Sequence, residues 1–199
     1  SSDLPFLWHA HEMLFGYAMA VVAGFLLTAA RNWTGRNTAH GYPLLGLVIL
    51  WLLGRLSMAG ALGDSTLLRT LFGVAFPLAL AVTVARPILR AKSRRNLIVV
   101  AVLAVLTLLA LVAHLGDPGW QRGAIYGALH FIILLHVLIG GRIIPLFTRN
   151  RTGNQAIHNR PRLDRLAIAA SVLLALLAVP VAIRPGHPLT PVLAFVALL

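Results

Sequence analysis

The chain contains no cysteine. Disulfides, thiolate metal sites and thioether-linked haem are therefore excluded, and the redox compartment stays open. Charge is scarce, at 11% of 199 residues, far too little to cover a water-soluble domain of this length. Acidic residues are scarcer still: 5 Asp and Glu stand against 17 Lys and Arg, a net charge of +12. Such an excess would suit nucleic acid if it lay in one patch. Here the basic residues sit in short segments between apolar runs, as positive-inside segments of membrane proteins do, so nucleic acid is not expected as a partner. The period-2 alternation of a membrane β-barrel is also missing. The opening SSDLPFLW has no basic n-region of a signal peptide.

What is present is oil-soluble. Hydrophobic residues make up 59% of the chain, and the mean hydropathy is +0.86. Runs such as MLFGYAMAVVAGFLLTAA and LIVVAVLAVLTLLALVAHL approach the roughly 20 residues a helix needs to cross about 30 Å of hydrocarbon. Only helices or closed barrels satisfy their backbone there. The expected fold is all-α: one polytopic transmembrane helix bundle over residues 1–199, in contact with the lipid bilayer. Six complete spans are expected near 9–30, 41–62, 67–85, 97–115, 121–147 and 163–183. A truncated seventh occupies 189–199, where 11 residues cover only about half a bilayer. The absent initiator Met and the apolar ending mark the chain as an expected fragment of a longer protein.

The segments after the first, third and fifth spans carry the positive charge, including Arg31 and Arg36, then Arg86 to Arg95, then Arg149 to Arg165. The alternate segments GDSTLLR, GDPGWQR and RPGHP are close to neutral. The asymmetry places the basic segments in the cytoplasm and residues 1–8 outside, with anionic lipid heads against the basic loops. Two of these exits share wording. RNWTGRNTAH at 31–40 and RNRTGNQAIH at 149–158 match at Arg, Asn, Thr, Gly and His. Gly35 and Gly153 can adopt the left-handed conformation that closes a helix. A parallel duplication and convergence on a cytoplasmic stop explain the likeness equally well. The N-glycosylation pattern in both copies falls on the cytoplasmic side.

Ionisable side chains within a span need a partner or a task. The first span opens with WHAHEM, in which His9, Glu12, Met13, Gly16, Ala20 and Gly24 form one stripe, small enough for close packing. In a regular helix His11 points about 100° away from Glu12. HAHEM does not have the spacing of the HExxH zinc motif. Arg55, in WLLGRLSMAG, lies roughly 10 Å below the outer end of the second span by helical rise. A buried Glu12–Arg55 ion pair is expected, with a structural role.

The fifth span, QRGAIYGALHFIILLHVLIGGRIIPLFTRN, carries Gly123, Gly127, His130, Leu134 and Gly141 on one face. His130 thus follows a GxxxG surface into a helix contact near the membrane centre. His136 is turned by about 120° and lies nearer the cytoplasm. Arg142 at the inner exit can reach phosphate heads or a cofactor carboxylate. His114 closes the fourth span at the outer surface. Neutral imidazoles of this kind ligate haem iron or copper, and they serve equally as proton relays or interhelical hydrogen bonds.

The blocks WHAHEMLFGYAMAVVAGFLLTAARNWTG, WLLGRLSM and GGRIIPLFTRNRTG make the sequence resemble the NnrS family of bacterial inner-membrane proteins across nearly its whole length. The resemblance implies a polytopic protein containing haem b and copper, linked to nitric oxide metabolism and resistance to nitrosative stress. This chain would be about its first half, without the opening helix. The family's histidine motifs fall on His9, His11 and His130, expected as metal ligands for either haem or copper, and His130 with His136 and Arg142 forms the expected cofactor-binding set. A redox partner would accompany such metals. Two other classes compete: a transporter or channel lined by buried Glu, Arg and His, and a sensor or assembly subunit docking through its basic loops.

Overall fold

The computed structural model describes residues 4–154, 156 and 160–184. Among these there is no strand, and 86% of the structure is helical. The first helix has three stretches: α1 (Leu4–His11), a π-helical turn (Glu12–Ala18) and α2 (Met19–Thr34). There follow α3 (Tyr42–Met58), α4 (Thr66–Arg90), a 3-10 turn (Arg94–Asn96), α5 (Leu97–Leu115), α6 (Pro118–Thr152) and α7 (Pro161–Ile183). The expected start of a seventh span at 189–199 lies outside the described residues.

Local chemistry sets these limits. Gly35 (φ 65°) and Gly153 (φ 69°) close α2 and α6 in the left-handed conformation. Their N–H groups donate to Arg31 O and Arg149 O, each at 2.9 Å. The duplicated RN-x-TG is therefore a duplicated helix stop. Asp117 caps α6, its carboxylate accepting from Gly119 N at 3.0 Å and Trp120 N at 3.1 Å, with Pro118 in the first position.

Among the described residues five helices are long and apolar enough to cross a membrane: Phe6–Thr34, Thr66–Arg90, Arg94–Leu115, Pro118–Thr152 and Pro161–Ile183. Tyr42–Met58 is a shorter apolar helix of 17 residues. The sequence reading carried this helix to residue 62. It stops at Met58 because Gly60 (φ 78°) and Gly63 (φ 89°) turn the chain sharply.

The helices α3, α4, α5, α6 and α7 pack each on the next, and the first helix lies against α3, α4 and α6. More than half of the first helix's apolar window, 56%, is buried, against 11% for α7. The first helix is therefore the central element, and its surroundings decide what its polar groups can do. Phe15, Met19 and Leu26 from it meet Leu80 of α4, Leu103 and Leu106 of α5, and Leu135 of α6 in one fully buried core. Exposed Leu45, Val48, Ile49, Leu52 and Leu56 give α3 an apolar outer face suited to lipid. The glycine face of α6 serves α7. A Cβ on Gly123 would come 2.7 Å from Ile183 Cγ1, and one on Gly127 would come 2.9 Å from Val179 Cγ2.

Candidate functional site

At one end of the bundle Trp8 Nε1 donates to Met58 O (3.3 Å), which sets the start of the first helix level with the end of α3. One turn inward from each, Glu12 and Arg55 meet. Arg55 NH1 lies 2.5 Å from Glu12 Oε1. With α3 ending at Met58, Arg55 sits three residues from its end, about 4.5 Å by rise, shallower than the sequence alone placed it. Gly16 makes room for the guanidinium, since a Cβ there would stand 2.5 Å from Arg55 NH1.

The helix is not regular here, and this alters the direction of His11. In the π-turn the hydrogen-bond register widens to five residues. Trp51 Nε1 donates to Gly16 O at 3.0 Å, within the turn. Instead of pointing away from Glu12, His11 donates from Nδ1 to Glu12 Oε1 at 3.1 Å. A carboxylate only accepts, so Nδ1 carries a proton, and in the neutral ring Nε2 is then the lone-pair nitrogen. That Nε2 is buried without a partner, and the whole residue is only 4% exposed.

A second imidazole faces it. The His114 ring of α5 meets the His11 ring edge to face, with centroids 4.8 Å apart. His114 Nδ1 donates to Ala110 O (2.7 Å), which again leaves Nε2 as the lone-pair nitrogen, buried and unpartnered. Gly73 of α4 meets the Nε2–Cε1 edge of this ring, and a Cβ there would overlap it. Two imidazoles are thus fixed in the same tautomer, one by a carboxylate that is itself held by Arg55. This carboxylate–histidine arrangement orients and strengthens metal-ligating imidazoles. Imidazole nitrogen is a ligand type that copper accepts. A haem does not fit between rings this close.

His9, one of the expected ligands, is exposed, and Glu12 rather than His9 is the neighbour that fixes His11. Among the described residues no group of three His, Asp or Glu side chains is placed to hold a metal ion, and His9, His11 and His130 form no such group. The sequence gathers His114 with His9 and His11 near the outer surface, and the structure seats it against His11 while His9 is exposed. Its signal, a histidine ending an apolar helix, gains meaning only from the glycine opposite.

The other histidines lie along α6. His130 is half-buried and donates from Nδ1 to Tyr126 O, and His136 donates to Ile132 O, both at 2.8 Å. His136 borders an open cleft of about 620 Å³ with Arg95, Gly140, Gly141, Arg142 and Asp164, within the roughly 300–1,000 Å³ typical of cofactor pockets. His130 is not part of its lining. Arg142 is tied to the next helix: NH1 donates to Asn96 Oδ1 (2.7 Å) and NH2 to Arg95 O (3.1 Å), and the guanidinium lies 6.0 Å from the Trp33 ring centroid. Were a haem to bind this cleft, His136 is the imidazole that would hold it, beside the guanidinium groups of Arg95 and Arg142.

The fold and these buried groups define a multi-pass helical membrane protein with two histidines in contact inside the bundle. A family model described as NnrS protein matches residues 2–199, and the chain belongs to the NnrS family. No match was found among curated proteins or solved structures.

Proposed function

We propose that the chain is the metal-binding membrane domain of a haem- and copper-containing protein linked to nitric oxide metabolism or nitrosative-stress resistance. The observation carrying this reading is the His11–His114 pair, two buried imidazoles each with Nε2 unpartnered and Nδ1 already committed. In hydrocarbon an idle polar nitrogen is expensive, and a metal ion is the partner both rings can share. His11 and His114 hold copper, Glu12 orients His11, and Arg55 keeps Glu12 in place. His136 is the haem ligand, with Arg142 and Arg95 at the carboxylate end of the cleft. When bound, these metals supply one-electron chemistry and an iron face open to small diatomic molecules.

The short apolar helix α3 is the second of six crossings in this reading. The protein resides in the bacterial inner membrane, with the basic segments after α2, α4 and α6 in the cytoplasm and the imidazole pair near the outer face. The visible spectrum of the purified full-length protein tests the haem assignment. A Soret band that is lost in His136→Ala but kept in His11→Ala supports it. A colourless protein, or a band indifferent to His136, overturns it.

A further inference from the structure

The segment 35–41 between α2 and α3 does not hang free. Thr38 Oγ1 donates to Leu27 O (2.7 Å), and His40 Nδ1 donates to Thr38 O (3.0 Å). Leu27 lies seven residues before the helix end at Thr34, about 10 Å by helical rise. The loop therefore doubles back along the first helix, carrying Asn37, Thr38 and His40 from the bundle's end toward the boundary between headgroups and acyl chains. Across from it α4 presents Arg86 and Arg90, one turn apart on one face. Together with Arg36 these residues enclose a pocket of about 440 Å³ whose lining contains no acidic residue. A second pocket of about 470 Å³ opens on the other side of the same loop, beside Arg31.

Three guanidiniums gathered without a carboxylate repel one another, unless an anion sits among them. Planar forks matched to phosphate oxygens are what arginine offers, and the Asn37 and Thr38 side chains add neutral hydrogen-bonding groups. We propose that this pocket is a specific site for the phosphate of an anionic membrane phospholipid, held by Arg36, Arg86 and Arg90. The backward fold of the loop favours a lipid over a dissolved phosphate, because it sets the polar groups at headgroup depth. The site narrows a general attraction between basic loops and anionic lipid to one place, and it stands independently of the metal assignments.

The test is native mass spectrometry of the full-length protein released from phosphatidylcholine vesicles containing phosphatidylglycerol. The wild type is expected to retain phosphatidylglycerol, and Arg86→Gln/Arg90→Gln to lower that occupancy by about thirtyfold. Arg149→Gln/Arg151→Gln, which removes the same charge elsewhere, leaves it unchanged. Arg36→Gln, on the loop and outside helix packing, provides a second reading if the α4 double variant does not fold, and is expected to lower occupancy by about fivefold. Equal losses from the pocket and control variants would reduce the site to diffuse attraction and overturn the proposal. Displacement of the lipid by millimolar inorganic phosphate would make it a soluble-phosphate site and overturn it as well.

Discussion

His11 and His114 belong to different helices 103 positions apart in sequence, yet their rings touch edge to face at 4.8 Å. Neither ring is free to turn. His11 is held by Glu12 and His114 by its own helix, so both lone-pair nitrogens are committed to the interior. The pair is preorganised, and its neighbours can be tested separately from it.

Glu12 and Arg55 form an ion pair whose side chains are 16% and 18% exposed. Removing one partner strands the other charge, so each of Glu12→Gln and Arg55→Met should destabilise the protein by about 2 kcal/mol. The double variant should lose less than the sum of the two. Thermal midpoints in one detergent give this cycle, and strict additivity would mean that the two residues do not act as a pair.

Gly73 is required by the ring above it. Gly73→Ala drives a Cβ into His114 and should cost about 1–3 kcal/mol while displacing the imidazole. Gly24, with nothing within 4 Å of a Cβ, is the control: Gly24→Ala should be neutral or stabilise by up to about 1 kcal/mol. Similar melting for the two variants would remove Gly73 from the account.

Asn96 is buried and accepts from Arg142 across the α5–α6 interface. Asn96→Ala removes a hydrogen bond to a charged group, worth about 1.5–3 kcal/mol. It should loosen the rim of the His136 cleft. The expected readout is a lower thermal midpoint together with a shifted or broadened haem absorption, whereas Asn154→Ala, on the exposed turn after α6, changes neither.

Sidedness can be read directly because the chain has no native cysteine. Single cysteines at Arg36 and Lys92 should be shielded from an impermeant thiol reagent added to intact cells, and ones at Ser65 and Asp117 should react. The reverse pattern would place the arginine-rich ends outside and contradict the orientation given by charge.

Much of this architecture is legible from apolar length alone. Helix α5 begins and ends at the expected positions 97 and 115, because its nineteen residues are apolar apart from Thr107 and His114 and lie between Arg94-Arg95-Asn96 and Gly116. The Glu12–Arg55 contact is legible for a similar reason: two opposite charges in oil at comparable depth have little choice. The end of α3 is not, since Gly60 and Gly63 take positive φ within a stretch that still reads as apolar. The direction of His11 depends on a π-turn that helical periodicity cannot signal, and the partnership with His114 depends on a glycine of a third helix. The family resemblance alone implies the metals, and the fold adds the committed Nδ1 of each ring.

The most direct test of the imidazole pair is the copper content per chain of the purified full-length protein, measured alongside its Soret absorbance. His114→Ala and His11→Ala should each lose most of the copper and keep the Soret band, while His9→Ala retains both. Copper that persists at wild-type stoichiometry in the His11→Ala/His114→Ala double variant would contradict the account.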